Sequence, residues 1–291
     1  MKAPPFHYYA PRSLAEALDL LTHLENARVL GGGQSLVPML NLRVATPDHL
    51  VDLGRIPELA GINEGEAAIS IGAMTTQRAI ERSVAVQQRC PLLTQAVHHV
   101  GHQQTRNRGT IGGSLCHLDP SAELPVAALA LDAELTIAGP AGTRILPFRD
   151  FPIGLLTVAL DPDEILVRID FPKKGSGAGS AFVEFSRRPA DFAIVSVAVQ
   201  LLLDDGGRIA RAAIAVGGIS YAPIRLNEAE NAVLGCHPTN ALFETASGAA
   251  LSVECEGDEL YPSEYRRDLC GVLVRRALKQ ATERAGVSDH V

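Results

Sequence analysis

Two glycine-rich stretches hold the residues best suited to chemistry in this chain. The first, preceded by Val29, reads Leu30-Gly31-Gly32-Gly33-Gln34-Ser35-Leu36, and the second reads Arg106-Asn107-Arg108-Gly109-Thr110-Ile111-Gly112-Gly113-Ser114. Each follows apolar or extended sequence and carries a hydroxyl residue near its end. Each can therefore turn several backbone N–H groups toward one anion with no Cβ in the way. Two such loops, well separated in one chain, imply a ligand whose diphosphate is gripped from both sides as two lobes close on it. A large dinucleotide fits that description.

Other chemistries find less support. Gly31 and Gly33 after a strand, with Asp52 downstream for a ribose hydroxyl, imitate the nicotinamide fingerprint. Leu36 stands where its third glycine belongs, however, and Pro38 follows, so no long helix is expected to pack on that strand. A phosphate-loop G-x-x-x-x-G-K-S/T is absent. His98, His99, His102 and His117 fall into no spacing that specifies a nucleophilic triad. Cys90, Cys116, Cys236, Cys255 and Cys270 are odd in number and contain no C-x-x-C pair, so neither a zinc site nor an iron–sulfur centre is expected. Cys116-His117 resembles half a metal site but lacks a second ligand pair, which favours a buried structural thiol.

Composition sets the frame for these loops. A chain of 291 residues with 46% hydrophobic content can bury a sizeable core, and its length allows for about two domains. Lys and Arg total 26 against 33 for Asp and Glu, a net charge of -7, which argues against a nucleic-acid partner or an anionic membrane surface. No apolar run approaches the roughly 18 to 20 residues of a membrane span, and the start has no signal-peptide apolar region. A cytoplasmic location is the expectation.

The elements that must position the loops follow from local patterns. Ser13-Leu14-Ala15-Glu16 is a capping box opening a helix that should end near Asn26, with Leu14, Ala17, Leu18 and Leu21 along one face. Residues 28–30 and 50–53 read as strands, giving a small α/β lobe over residues 1–58. Residues 67–72 make a further strand, and Thr75-Thr76 offers caps for the helix that follows. Residues 91–101 give a helix leading into the second loop, residues 123–131 another, and residues 134–138 and 165–171 strands, so that 59–174 forms a second lobe. The Gly/Ser-rich run 172–180 reads as a linker. Beyond it, the β-rich runs 193–203 and 208–216 flank the hairpin turn Asp204-Asp205-Gly206-Gly207, and a helix near 265–284 closes an α+β unit over 180–286.

The order of motifs is more specific than either loop. Gly31-Gly32-Gly33-Gln34-Ser35-Leu36-Val37-Pro38, Ile71-Gly72-Ala73-Met74-Thr75-Thr76, Arg106-Asn107-Arg108-Gly109-Thr110-Ile111-Gly112-Gly113, Asp119-Pro120 and Arg187-Arg188-Pro189-Ala190-Asp191-Phe192-Ala193 resemble the motif series of the FAD-binding medium subunit of molybdenum hydroxylases. That family includes the medium subunits of carbon monoxide dehydrogenase and quinoline oxidoreductase and the flavin domain of xanthine dehydrogenase. The resemblance covers essentially the whole chain. It departs from the commoner pattern at Gly31, where alanine is usual, and at Ser114, where asparagine or aspartate is usual.

The resemblance implies an α+β fold: a two-lobed FAD-binding unit of the vanillyl-alcohol oxidase type, then a C-terminal sheet-and-helix domain. It implies that Val29, Leu30, Gly31, Gly32, Gly33, Gln34, Ser35 and Leu36, with Gly101, Thr110, Ile111, Gly112, Gly113 and Ser114, wrap the FAD. Glu123 matches an acidic cofactor contact and also suits an ordinary first-turn helix acid. Leu166 lies on a strand that passes the flavin and is equally explained by core packing. Phe192 matches a position flanking the isoalloxazine, with burial in the core as the other explanation. No residue is expected to act as acid, base or nucleophile. The implied activity is electron transfer: a small subunit with two 2Fe-2S clusters delivers electrons to FAD here, and a large subunit carries the molybdopterin cofactor, all within a dimer of heterotrimers. Two alternatives are a free-standing FAD-dependent oxidoreductase of the same fold and a structural subunit without flavin.

Overall fold

The computed structural model describes residues 2–286 except 174 and 176. The N-terminal part contains β1 (His7–Tyr9), α1 (Leu14–His23), β2 (Ala27–Leu30), α2 (Leu36–Leu42) and β3 (His49–Asp52). Its three strands lie parallel in the order β1-β3-β2. Ser13 caps α1 as the sequence predicts, its hydroxyl accepting from Glu16 N at 3.2 Å. Glu16 reaches back one residue further than a capping box requires, to Arg12 N at 2.8 Å. The helix stops at His23, short of Asn26, because Leu24 already takes an extended backbone (φ -102°, ψ 116°), after which left-handed Asn26 (φ 50°) turns the chain into β2. Ala17, Leu21, Val51 and Leu53 form the core of this part, joined by Ile165 from much later in the chain.

The central part contains β4 (Ile62–Glu64), β5 (Ala68–Gly72), α3 (Gln77–Arg82), α4 (Val84–Arg89), α5 (Pro91–His99), α6 (Gln103–Arg108), α7 (Ile111–His117) and α8 (Glu123–Ala130). Strands β6 (Glu134–Gly139), β7 (Gly142–Pro147), β8 (Pro152–Gly154), β9 (Thr157–Val158) and β10 (Ile165–Pro172) follow. An antiparallel sheet of order β4-β5-β10-β6-β7 backs the helices. Every residue of α8 is buried, as suits a helix that is apolar all round.

The C-terminal part contains β11 (Ala178–Phe185), β12 (Val195–Leu203), β13 (Ile209–Gly217), β14 (Ile224–Arg225), α9 (Asn227–Val233), α10 (Asn240–Ala250) and α11 (Ser263–Ala285). Its antiparallel sheet, β11-β12-β13-β14, is covered on both faces. Phe182, Ala198 and Ala215 join the core of the central part, while Val197, Val199 and Val216 pack with Leu273, Val274 and Leu278 of α11. The linker read from composition is shorter than predicted. Lys174 and Ser176 lie outside the described residues, and β11 begins at Ala178. Gly179 is there for close packing: a Cβ on it would collide with the Ala281 carbonyl of α11.

Candidate functional site

Strand β2 brings half-buried Val29 and Leu30 to the edge of the first glycine loop. Gly33 reverses the chain with φ 76°, and Gln34 Nε2 steadies the turn by donating to the Gly32 carbonyl at 3.1 Å. The amides of Gly32, Gly33, Gln34, Ser35 and Leu36 donate to no acceptor among the described residues. The Gly33 and Ser35 carbonyls are engaged, accepting from Val37 N at 3.1 Å and Met39 N at 3.2 Å. The loop thus offers a run of free donors and few acceptors, which is the character of an anion nest.

The second glycine stretch has its backbone amides engaged within the protein. Residues 111–117 are helical rather than a loop, and the amides that open this helix are spent on protein. Ile111 N donates to Thr75 O at 3.1 Å, Gly112 N to Ala73 O at 2.8 Å, and Gly113 N to Thr110 Oγ1 at 3.1 Å. Ile111 and Gly112 are buried; Gly113 is exposed and Ser114 half-buried, so those two present the open surface of this stretch. Ser114 N donates to Thr110 O at 3.1 Å. The opposing segment 73–77 is the seam of the site. Gln77 N donates to Gly109 O at 2.8 Å, and Thr75 Oγ1 both donates to Gly61 O at 3.0 Å and accepts from Gly61 N at 2.9 Å. The sequence showed these threonines only as helix caps, a role that Thr76 does fill for α3.

The two glycine stretches meet. A Cβ on Gly31 would sit 3.1 Å from Thr110 Oγ1, and one on Gly32 would collide with the Arg108 carbonyl. Gly101, with φ 43°, forms the nearby turn between α5 and α6. Arg106 holds that turn by donating to Val100 O at 3.0 Å and Gly101 O at 2.8 Å. The same guanidinium forks onto buried Glu81 at 3.2 and 3.1 Å, where Arg78 (2.7 Å) and His98 (3.3 Å) also converge. Burial pushes the Glu81 carboxyl up, but the Arg106 and Arg78 hydrogen bonds outweigh it and hold it below its ordinary range.

Glu123 opens α8 with its side chain buried, and burial pushes its carboxyl up to about 8. Its own amide and Arg106 oppose that rise, while Glu184 and Asp119 add to it. Asp119 shapes the turn before α8, accepting from Ser121 N at 2.8 Å. The Leu166 side chain packs in the core, and a register shift between Leu166 and Arg168 breaks the strand pairing there. Strand β10 reaches the seam through its backbone instead, Val167 O accepting from Ala73 N at 3.0 Å. Phe192 is 74% exposed on the connection between β11 and β12, which removes the core-packing explanation for it. Asp52 is committed to Tyr8 Oη at 2.6 Å and Gly54 N at 2.8 Å, so it serves the fold rather than a ribose. Glu184, on β11, is a buried acid at this end of the sheet that no motif marked.

No group of three or more His, Cys, Asp or Glu residues is placed to hold a metal among the described residues. Burial raises the Cys116 thiol to about 12, the behaviour of an inert structural cysteine. A cavity of about 100 Å³ lined by Asp132, Gln200, Arg211 and Arg225 shares no lining residue with the glycine stretches.

Comparison with known proteins agrees with this architecture. Residues 4–174 match the family of the FAD binding domain in molybdopterin dehydrogenase, and residues 180–281 match the CO dehydrogenase flavoprotein C-terminal domain. The chain is 38% identical to the 6-hydroxypseudooxynicotine dehydrogenase complex subunit alpha of Paenarthrobacter nicotinovorans, over 98% of this chain and 97% of that protein. It is 35% identical to the carbon monoxide dehydrogenase medium chain of Hydrogenophaga pseudoflava, over 98% and 99%. The solved carbon monoxide dehydrogenase of Hydrogenophaga pseudoflava superimposes with a TM-score of 0.94 at 38% identity, covering 98% of this chain and 99% of that one. Quinoline 2-oxidoreductase from Pseudomonas putida 86 gives 0.94 at 35% identity, covering 98% and 99%. With family models matching both parts of the chain and this likeness along nearly its full length, the chain belongs to the family of FAD-binding medium subunits of molybdenum hydroxylases.

Proposed function

We propose that this chain holds FAD with its diphosphate over the first glycine loop and passes electrons from an iron–sulfur subunit to an external acceptor. The observation that carries the reading is the run of uncommitted amides from Gly32 to Leu36, in a loop whose Gly31 and Gly32 pack against Thr110 and the Arg108–Gly109 backbone. A diphosphate needs several donors and no bulky side chains, and these residues fit that need. FAD, when bound, supplies a two-electron store that can be filled one electron at a time. This chain's own part is to bind, orient and shield: Gly32 to Leu36 donate, Thr110 and the 73–77 seam hold the floor, and Phe192 lies free to cover the ring.

The partners follow from the relatives, which are medium chains or subunits of multi-subunit dehydrogenases. A small subunit with two 2Fe-2S clusters and a large molybdopterin subunit are the proposed neighbours, in a dimer of heterotrimers. The cytoplasm is the proposed compartment, to be checked by cell fractionation; no helix among the described residues is long and apolar enough to cross a membrane. The deciding experiment is co-expression of all three subunits. Copurification, non-covalent FAD released on acid precipitation, and iron and molybdenum absent from this chain alone are the expected results. A colourless chain after full assembly would remove the flavin from the proposal.

A further inference from the structure

Arg106 and Arg108 stand two residues apart on α6 and differ in what they hold. Arg106 is half-buried, its guanidinium committed to Glu81 and to the Val100 and Gly101 carbonyls. Positions two apart in a helix are set roughly 200° apart about its axis, so the Arg108 side chain leaves α6 on the side away from Glu81. Arg108 is exposed, and its guanidinium meets no acceptor among the described residues.

The end of α6 that carries Arg108 is the end that abuts the first glycine loop. A Cβ on Gly32 would collide with the Arg108 carbonyl oxygen and lie 2.6 Å from its carbon and 2.7 Å from the Gly109 Cα. The Arg108 backbone is thus in contact with the loop whose amides are uncommitted, and a side chain with four rotatable bonds is long enough to span from that contact across the loop. In the loop, Gln34 and Ser35 are exposed and Gly32, Gly33 and Leu36 half-buried. Loop and guanidinium are both open to solvent, so a ligand seated on the amides is within reach of Arg108 with no change in the fold.

Electrostatics give that reach a purpose. The Arg108 carbonyl accepts from nothing among the described residues, and it sits at the electronegative, C-terminal end of α6. Both features oppose an anion on the neighbouring loop. A guanidinium carried by the same residue offsets them, and its planar fork of donors matches phosphate oxygens. The amides supply dipoles, whereas Arg108 supplies net charge.

Resting on the FAD reading above, we propose that Arg108 is a further phosphate-binding residue of the site, its guanidinium lying over the first glycine loop and pairing with the diphosphate of FAD.

The test uses the assembled complex, stripped of flavin and titrated with FAD at low and at high ionic strength. Arg108→Gln keeps a polar side chain and removes the charge, and should bind FAD roughly three- to tenfold more weakly at low salt, the gap closing as salt screens the exposed pair. Arg108→Lys should recover part of the loss, since the charge returns without the fork, and Arg108→Glu should bind more weakly than Arg108→Gln. The flavin-free variants should melt with the parent, because the side chain holds nothing in the fold. A purely structural role would not produce this order of affinities or its convergence at high salt. If folded Arg108→Gln and Arg108→Glu bind FAD as tightly as the parent at low salt, or if their deficit is the same at high salt, Arg108 is an ordinary solvated cation at a helix end and the inference falls. A parent complex that takes up no FAD would instead bring down the underlying reading, and this inference with it.

Discussion

Gly32 and Arg108 touch backbone to backbone, although seventy-five positions separate them: a Cβ on Gly32 would land on the Arg108 carbonyl and 2.7 Å from the Gly109 Cα. The contact fixes the distance between the nest of free amides and the segment that supports it. It also explains why glycine is required at Gly32, whose φ is not in the left-handed region, while Gly33 next to it is required for its φ of 76°.

Gly32→Ala should therefore separate the two stretches. Overpacking of this kind costs roughly 1–3 kcal/mol, and the nest opens as the loop shifts. Thermal melts should show a lower Tm, and the absorbance of the purified protein should show a sharp drop in FAD content. Full flavin content at unchanged Tm would mean that the contact does not control the loop.

Thr110 is the hinge of the supporting segment, since its hydroxyl caps α7 by accepting from Gly113 N. Thr110→Ala should cost about 0.5–2 kcal/mol, the ordinary range for a lost N-cap. Thr110→Ser keeps the oxygen and should recover most of it. Denaturant titration of the three proteins provides the comparison.

Arg106 joins buried Glu81 to the carbonyls of Val100 and Gly101. Arg106→Met leaves Glu81 buried with Arg78 and His98 as its remaining partners, and breaking such a pair costs about 3–5 kcal/mol. Lysine should rescue poorly, because one ammonium cannot fork to a carboxylate and reach two carbonyls. The Glu81 carboxyl is held below its ordinary range, so its contribution is present above the unfolded carboxyl's pKa and lost as pH falls through the lower folded value. Chemical melts of Arg106→Met should accordingly lose that acid-limb dependence.

Much of this arrangement was legible in the sequence, and the misses share one cause. The glycine stretches, the Ser13 and Thr76 caps and the Asp204-to-Gly207 hairpin were all readable because each rests on neighbours in the chain. Gly112 was misjudged because its backbone looks like loop material, whereas its real constraint is Ala73: a Cβ there would meet the Ala73 Cβ at 2.6 Å and carbonyl at 2.8 Å. Gly179 was read as linker for the same reason, its partner being α11 a hundred residues on. Glu184 carried no local signal, since an acid in a strand looks solvent-facing until α5 and α8 are laid against it. Exposed Ile153, Leu155 and Leu156 around the β8–β9 turn also escaped notice, because apolar composition alone reads as core.

Glu123 gives the fold a pH dependence of the opposite sign to that of Glu81. Its folded value near 8 lies above the unfolded carboxyl, so the folded protein keeps a proton that the unfolded chain releases. Stability is then full below about pH 4 and declines as pH rises to about 8, with a slope of at most about 1.4 kcal/mol per pH unit. Glu123→Gln should flatten that decline, so the variant gains on the parent steadily between these limits. Equal slopes for the two proteins in urea titrations across pH 5 to 8 would show that Glu123 is ionised in the folded state.

Phe192 is the last test, and it separates a cofactor lid from a surface ornament. At 74% exposure its ring contributes little to the folded chain, so Phe192→Ala should leave the unfolding free energy of the flavin-free protein within about 0.5 kcal/mol of the parent, as for other surface positions. With FAD bound, the aromatic partner is worth roughly 0.5–1.5 kcal/mol beyond simple burial, so affinity should fall only modestly while the diphosphate stays gripped by the first loop. The larger change should appear at the ring itself: brighter flavin fluorescence, because a quenching neighbour is gone, and faster reoxidation by a small acceptor, because one face is open. If fluorescence and reoxidation match the parent in a fully loaded variant, Phe192 does not cover the isoalloxazine, and its exposed ring must be explained by a neighbouring subunit.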